Sequence, residues 1–472
     1  MLFSSLEFLF MFLPVTLIAY FAVPQKYIRA RNIVLLAVSL IFYGWGEPLY
    51  VFLMIGTVAA DYFFGLMIER SKKASRKKAA KAWMIAAVAS NLAVLAFFKY
   101  CDFFISNLNL IPGVNIKPLG IELPIGISFY TFQIMSYVID VYRGAADAQR
   151  DPLTLGTYLA LFPQLIAGPI VRYHDVDLQL SARSHGYSKF SEGVVRFLSG
   201  LSKKVLLANT AGEIFESLRA VPDTSRTVVG AWLGVLLFSF QIYFDFSGYS
   251  DMAIGLGKMF GFDFLENFDH PYISSSVTEF WRRWHISLSS FFREYVYIPL
   301  GGNRRGKARQ YFNLFIVWLL TGFWHGASWN YVIWGLFFFV FLVIEKSFFL
   351  DILKKIPKWL GRIYAMTVVF FGWLIFYFED IGEGASWLSN MFGANTASFC
   401  DDATAFTLVR NILFIAILVL FSTPAPKAAA KKIAEKHPKA RIAAPILCAL
   451  ALILCTAYLV DLSFNPFLYF QF

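Results

Sequence analysis

The sequence predicts an all-α polytopic membrane protein, and two observations carry this prediction. Of the 472 residues, 58% are hydrophobic and only 15% are charged, whereas soluble globular chains carry about 25% charged residues. Many separate segments also reach the roughly 17 to 25 apolar residues that a helix needs to cross a bilayer. Length alone would suggest about three soluble domains, but packed hydrophobic helices favour one membrane domain over residues 1–472.

The charged residues predict a membrane topology and argue against a nucleic-acid partner. The formal net charge is +11, yet the basic residues cluster in short loops between apolar segments, as the positive-inside rule describes. The four cysteines have neither CxxC nor metal-ligand spacing, which favours small core residues or lone thiols. The first apolar segment has no basic leader and no small-residue cleavage site, so we expect a retained helix and not a signal peptide.

The first half of the chain is divided into helices by its loops. Residues 32–68 are too long for one span and break at the sequence GWGEP, which predicts a hairpin. The segment LALFPQLIAGPIVRYHD contains two prolines and a glycine and favours a re-entrant segment, since broken backbone at membrane depth must line protein or a cavity. The other expected elements are spans over residues 8–23, 83–98, 124–141 and 228–247 and an interfacial segment over residues 172–204.

Loop charges orient the second half. Residues 70–81 hold seven basic and no acidic residues, and residues 427–441 hold six basic residues and one glutamate, so both loops should be cytoplasmic. Residues 379–409 contain five acidic residues and no lysine or arginine, so this loop is expected outside. Spans over residues 362–378, 407–421 and 442–462 then place the C-terminus on the outer face.

An ionisable side chain interrupts the apolar run of residues 311–345, in the sequence TGFWHGASWN. Basic segments flank this run on both sides, so it should enter the membrane and return, with a break near Gly326 and Asn330. At 1.5 Å per residue, His325 then lies about 20 Å into the descent. Ionisable residues at such depth are costly and usually functional, although a neutral imidazole bonded to a backbone carbonyl would have no such role.

His285 is the second histidine with a functional interpretation. It lies in FWRRWHISLSSFF, at the start of an amphipathic helix, where an interfacial histidine is an equally good interpretation. A histidine without a Ser–Asp relay or a second metal ligand indicates general base catalysis on a substrate hydroxyl. The remaining histidines favour solvated side chains (His174, His185, His437) or a turn before a proline (His270).

Other catalytic and metal motifs are missing from the sequence. It has no HExxH, no Cys/His cluster, no G-x-S-x-G elbow and no phosphate-binding loop ending in Gly-Lys-Ser/Thr, which argues against metal hydrolysis, a serine hydrolase and a P-loop enzyme. Asp245 and Asp251, in YFDFSGYSDMAIG, either line a polar cavity or bond to backbone at a helix break. No internal repeat is evident, which weakens a transporter built from inverted halves.

Two long stretches resemble the membrane-bound O-acyltransferases. One runs from YFDFSGYSDMAIG to YIPLGGNR and contains FWRRWHISLSSFF, and the other is GFWHGASWNYVIWG. The chain resembles in particular the bacterial alginate O-acetylase group and, less closely, the teichoic acid D-alanylation protein, over essentially its whole length. The resemblance implies that His325 is the active-site histidine of the family and His285 the second histidine of the bacterial branch. It also implies a ring-like bundle of about eleven or twelve transmembrane helices with re-entrant and interfacial helices.

The resemblance implies a reaction and its partners. An acyl group, expected to be acetyl, moves from a cytoplasmic thioester such as acetyl-CoA across the membrane for O-acylation of a cell-surface polysaccharide such as alginate or peptidoglycan. A separate extracytoplasmic acyltransferase of the SGNH type is expected to modify the sugar. No metal and no tightly bound cofactor is expected, and the chain should lie in the inner or plasma membrane. The alternatives are D-alanyl transfer to teichoic acid, a glycan-precursor transporter or flippase, and a non-catalytic scaffold.

On this interpretation the single domain has four parts. Residues 1–250 form the N-terminal helices, residues 251–350 the catalytic core with both histidines, and residues 351–462 the C-terminal helices. Residues 463–472 form an extracytoplasmic aromatic tail.

Two further sets of residues are assigned to this reaction. The basic segments beside the histidines contain four arginines, whose guanidinium groups suit the phosphates of coenzyme A, although positive-inside anchoring explains them equally. The tail SFNPFLYFQF has five aromatic residues and no charge, so we expect it to dock in an apolar crevice near His325. Tyr469 is a candidate acyl relay, and an aromatic interface anchor is the other interpretation. The four arginines are Arg282, Arg283, Arg304 and Arg305.

Overall fold

The computed structural model describes residues 1–166, 168–394, 396, 398–436, 443–461 and 468. Within these residues the chain is helical and contains no strand. The prediction of an all-α polytopic membrane protein is confirmed, because six of the described helices are long and apolar enough to cross a membrane. These six are Tyr50–Lys73, Lys77–Leu108, Val228–Met259, Lys358–Tyr377, Asp402–Phe421 and Ala443–Asp461.

The helices are numbered here in chain order. They are α1 (Phe8–Ala22), α2 (Ile28–Gly44), α3 (Tyr50–Lys73), α4 (Lys77–Leu108), α5 (Ile127–Arg143), α6 (Pro152–Ala160), α7 (Phe162–Leu165), α8 (Tyr173–Ser181), α9 (Tyr187–Ser202), α10 (Thr210–Arg219), α11 (Val228–Met259), α12 (Val277–Arg283), α13 (Ile286–Phe292), α14 (Lys307–His325), α15 (Trp329–Ile344), α16 (Leu350–Leu353), α17 (Lys358–Tyr377), α18 (Ile381–Met391), α19 (Asp402–Phe421), α20 (Ala425–Lys436) and α21 (Ala443–Asp461). A π-helical segment, Lys203–Asn209, joins α9 to α10. The total of about eleven or twelve crossings stays a prediction, because the other helices are shorter or less apolar.

Both predicted hairpins are confirmed. The run of residues 32–68 lies in α2 and α3 with its break at residues 45–49, and the run of residues 311–345 lies in α14 and α15 with its break at residues 326–328. The predicted re-entrant segment is broken into the short helices α6, α7 and α8. The sequence placed the end of one span at residue 247, but α11 continues to Met259. Glycine has a weak helix propensity, but here Gly248 packs closely against the carbonyl oxygen of Gly200, where a side chain would not fit. Packing therefore outweighs propensity.

The chain divides into two compact units. Unit 1 comprises Met1–Ser199, Tyr249–Glu266 and Ser290–Tyr295, and unit 2 comprises Gly200–Gly248, Asn267–Ser289 and Val296–Phe472. Unit 1 contains a network of ion pairs and hydrogen bonds around α8, in which Arg172 contacts two carboxylates. Unit 2 contains both candidate histidines.

Two features of unit 2 hold the candidate histidines in place. The helices α14 and α15 cross at glycines, because a Cβ on Gly322 would overlap the carbonyl oxygen of Tyr331 and a Cβ on Gly335 would overlap that of Trp318. Small residues of this kind let helix backbones touch in a membrane protein. The carboxylate of Glu345, which is only 1% exposed, accepts hydrogen bonds from the first two backbone N–H groups of α12 and so caps that helix.

Candidate active site

His325 is the last residue of α14 and is 6% exposed. The helix begins at Lys307, so at 1.5 Å per residue its basic start and His325 are about 27 Å apart. Gly326 ends the helix with an extended conformation, and the ring of Tyr331 packs directly over it. The backbone thus turns sharply after His325, as the sequence predicted.

In the part of the chain that the structure describes, three aromatic rings pack around the imidazole of His325. The ring centroids of Trp324, Trp334 and Phe376 lie 5.0, 4.9 and 5.1 Å from its own, all edge to face. None of the described contacts of Asn330 is with the imidazole. Its side-chain amide donates to the carbonyl oxygen of Phe376 at 2.9 Å and thereby ties the first turn of α15 to α17. The enclosure fixes the orientation of the ring.

His285 lies between α12 and α13 and is 1% exposed. Its side chain is therefore buried in the protein and not solvated, while the interfacial interpretation, which concerns depth in the membrane, stays a prediction. Its backbone adopts the left-handed conformation, with φ at 46°, which is uncommon for a residue other than glycine and occurs often at functional sites. Phe246 covers the imidazole edge to face, with the centroids 4.7 Å apart.

Hydrogen bonds around Asn267 define the tautomer of His285. The side-chain oxygen of Asn267 accepts from the backbone N–H of Ser287 at 3.2 Å and from its hydroxyl at 2.8 Å. Because a backbone N–H is always a donor, the atom facing it must be the amide oxygen. His285 Nδ1 lies 3.2 Å from this same oxygen and must therefore carry the proton. The neutral imidazole then has its lone pair on Nε2, the nitrogen that can accept a proton.

Trp324 connects the two candidate histidines. Its ring centroid lies 5.8 Å from that of His285 and 5.0 Å from that of His325. The structure therefore brings together, within one aromatic cluster of unit 2, the two residues that the sequence singled out. Two buried imidazoles on one tryptophan ring, one of them with a defined lone pair, are residue types suited to proton transfer.

The four arginines differ in their availability. Arg283 is engaged by two carboxylates, at 3.0 Å from Asp269 and 3.1 Å from Glu279. Arg282, Arg304 and Arg305 are exposed, and among the described residues no carboxylate forms an ion pair with them. Arg283 thus pairs with carboxylates of the protein itself, whereas the other three arginines are available for a ligand.

The other described histidines are partnered and are not simply solvated. His174 Nδ1 lies 2.7 Å from Asp140 Oδ2, and this hydrogen bond raises the pKa of His174. His185 contacts the hydroxyl of Tyr20 at 2.7 Å, and burial with nearby arginines lowers its pKa to about 4. His270 adopts a left-handed turn conformation before a proline, as expected. Tyr469 and His437 lie outside the described residues.

Sequence reasoning missed Asn267, Phe246 and Trp334. Asn267 lies 18 residues before His285 and looks like a turn residue in the sequence ENFDHP, so no local signal marks its contact. The two aromatic residues were not distinguishable among many others. For Asp245 the sequence left two possibilities open, and the structure gives its partners: Lys204 Nζ lies 2.7 Å from its Oδ1, and its Oδ2 accepts a hydrogen bond from the backbone N–H of Leu468, although α11 is not broken there.

Comparison with known proteins shows the family of the chain. The family model for the membrane-bound O-acyltransferase family matches residues 145–382. Over the full length of both chains, the protein is 41% identical to a probable alginate O-acetylase of Pseudomonas putida. It is 34% identical to a peptidoglycan O-acetyltransferase of Helicobacter pylori, covering 90% of this chain and 86% of the relative. It is 29% identical to a teichoic acid D-alanyltransferase of Bacillus subtilis, covering 53% of this chain and 68% of the relative.

The match includes both buried histidines and the helices that hold them. A full-length relative at 41% identity and a family model spanning half of the chain agree with the multi-pass helical fold. The chain is a multi-pass membrane acyltransferase and belongs to the membrane-bound O-acyltransferase family.

Proposed function

We propose that the protein is an O-acetyltransferase of the cell envelope. It takes an acetyl group from a cytoplasmic thioester, such as acetyl-CoA, and passes it across the inner or plasma membrane toward a surface polysaccharide. The observation that carries this proposal is the placement of His325 at the buried break of the α14–α15 hairpin, where the ring of Trp324 contacts both His325 and His285. The names of the relatives, which include alginate and peptidoglycan O-acetylating proteins, support acetyl as the acyl group.

His325 acts as the general base of this reaction. It removes the proton from an acceptor hydroxyl as that oxygen attacks the thioester carbonyl. A C–O bond forms, the C–S bond breaks, and the departing thiolate takes the proton from the imidazolium. The enclosing rings of Trp324, Trp334 and Phe376 exclude water, which would otherwise hydrolyse the thioester.

The donor and acyl group are tested in inverted membrane vesicles, whose cytoplasmic face is outward. Radiolabelled acetyl-CoA should label a luminal acceptor in vesicles with the wild-type protein and not in vesicles lacking it. Label from a D-alanyl thioester alone would instead favour the teichoic acid reaction. Translocation of a glycan precursor without acetyl transfer would favour a transporter or flippase.

Exposed arginines are proposed to bind the phosphates of the donor. We expect the triple variant Arg282→Gln, Arg304→Gln, Arg305→Gln to raise the KM for acetyl-CoA severalfold with little change in kcat. The effect is moderate because exposed charge pairs contribute about 0.2–1 kcal/mol each. Initial rates in vesicles at varied acetyl-CoA measure it. Arg283→Gln is the matched comparison, because losing the contacts to Asp269 and Glu279 should reduce the amount of folded protein instead. An unchanged KM in the triple variant would leave membrane anchoring as the only role of these arginines.

His285 is proposed to assist proton transfer, with Asn267 holding its tautomer. Replacing Asn267 by leucine removes the acceptor for Nδ1–H and lets the proton shift to Nε2. We expect acetyl transfer to fall, though by less than the roughly 10²–10⁴-fold loss typical when an acid–base group is removed altogether. Ser287→Ala removes one donor to Asn267 and leaves the contact to His285 intact. If both variants transfer acetyl at the wild-type rate, the tautomer of His285 has no role.

Tyr469 is proposed to accept the acetyl group as a phenyl ester and to present it to an extracytoplasmic partner of the SGNH type. Leu468, the residue before it, supports this proposal, because Leu468 is 5% exposed and is held in unit 2. An ester on a phenol is a reactive acyl donor, which suits a transient relay.

Tyr469→Phe separates the relay from an aromatic anchor. The variant keeps the ring and loses the hydroxyl, so we expect polysaccharide acetylation to be abolished while the protein remains in the membrane. Mass spectrometry of the wild-type C-terminal peptide should show a gain of one acetyl group on Tyr469. Normal acetylation in the phenylalanine variant would rule out the relay and leave the anchor.

A further inference from the structure

A buried ion pair lies beside the candidate active site in unit 2. Asp245, in α11, and Lys204, in the π-helical segment before α10, are 2.7 Å apart, and each side chain is 3% exposed. Two charges of opposite sign within an apolar protein must pair, because each would otherwise be costly at membrane depth. The proposed reaction does not use this pair.

The second carboxylate oxygen of Asp245 binds the C-terminal part of the chain. The backbone N–H of Leu468 donates to Asp245 Oδ2 at 3.0 Å, and the Leu468 side chain is buried. A hydrogen bond to a carboxylate is stronger than one between neutral groups. The two oxygens of one carboxylate therefore have separate partners, the Lys204 ammonium group and a backbone amide 223 residues away in the chain.

The residue next to Asp245 in the chain packs against His285. Phe246 follows Asp245 in α11, and its ring covers the imidazole of His285. The ring of His285 in turn faces Trp324, which contacts His325. The residue that holds the C-terminal chain at Leu468 is thus the sequence neighbour of the residue whose ring covers His285.

We infer that Asp245 is a positioning residue that anchors the C-terminal tail beside the active site, with Lys204 fixing the orientation of its carboxylate. The anchor sets the position of the chain at Leu468, immediately before Tyr469. The part of this inference that concerns acetyl transfer rests on the proposed function. The anchoring itself does not depend on it.

Hydrogen–deuterium exchange of the C-terminal peptide in the detergent-solubilised full chain tests the anchor. In Asp245→Asn, an NH2 group replaces one of the two carboxylate oxygens and, being a donor, cannot accept from the Lys204 ammonium or the Leu468 N–H that faces it. We expect exchange in the peptide after Asp461 to become faster by at least about tenfold, as the loss of one hydrogen bond to a charged group implies. Peptides of α14 and α15 should exchange as in the wild type. Unchanged exchange in the tail would overturn the anchor.

Leu468→Pro keeps the test decisive if Asp245→Asn does not fold. It removes the donating N–H without touching the buried ion pair, and we expect the same faster exchange in the rest of the tail peptide. Leu468→Ile retains the N–H and the side-chain volume and should restore wild-type protection. Equal exchange in the proline and isoleucine variants would contradict the inference.

Acetyl transfer in inverted vesicles tests the consequence for the reaction. Asp245→Asn and Leu468→Pro should lose transfer together with tail protection, and Leu468→Ile should keep both. Wild-type transfer from a variant whose tail is released would overturn the positioning role. Tyr469→Phe distinguishes the two proposals: if it transfers acetyl normally while its tail stays protected, the relay is wrong and the anchor stands.

Discussion

Replacement of His325 by glutamine is expected to lower acetyl transfer by roughly 10²–10⁴-fold, the range for loss of a general acid–base group. Glutamine is close to histidine in size, so it should remain among Trp324, Trp334 and Phe376. It can form hydrogen bonds but cannot take up a proton in the working pH range. The measurement is the initial rate of radiolabel transfer from acetyl-CoA in inverted vesicles, normalised to the amount of folded protein.

A matched histidine variant controls for nonspecific effects. His270 adopts a left-handed conformation, with φ at 45°, which asparagine tolerates better than most residues. We expect His270→Asn to transfer acetyl at the wild-type rate. If His325→Gln keeps more than a tenth of that rate, His325 is not the base, and a scaffold role for the histidine segment becomes the better interpretation.

The α14–α15 hairpin and His325 were predictable from sequence because several local signals agree. The apolar run is longer than one span, both flanks are basic, and glycines mark the break. The structure then ends α14 at His325 and starts α15 at Trp329. An ionisable residue in such a run stands out because its burial is costly.

The supporting residues were not predictable because their contacts join distant parts of the chain. Asn267 meets His285 across 18 residues, and Lys204 meets Asp245 across 41 positions of sequence. Neither asparagine nor lysine has a local pattern that reveals such a partner. The sequence placed the end of α11 too early for a related reason. Glycine at position 248 is unfavourable in a helix, but Gly248 packs closely against Gly200, and the helix continues to Met259.

The crossing of α14 and α15 should be the structural feature to which the active site is most sensitive. Gly322 lies three residues before His325, and its Cα faces Gly335 across the crossing. An alanine at Gly322 would overlap the carbonyl oxygen of Tyr331, a backbone atom that cannot rotate away. The helices must then separate, which moves His325 relative to Trp334.

We therefore expect Gly322→Ala to lower acetyl transfer by about 10²-fold, because a displacement of about 1 Å at a catalytic group can have that effect. The loss should appear in kcat while the protein still inserts and is recovered from the membrane. Gly335→Ala should reproduce it, since its Cβ would overlap the carbonyl oxygen of Trp318 on the opposite helix. Gly56→Ala in α3 is the control: nothing lies within 4 Å of its Cβ position, and alanine favours a helix by about 1 kcal/mol over glycine. Wild-type rates in both hairpin variants would show that the close crossing does not position His325.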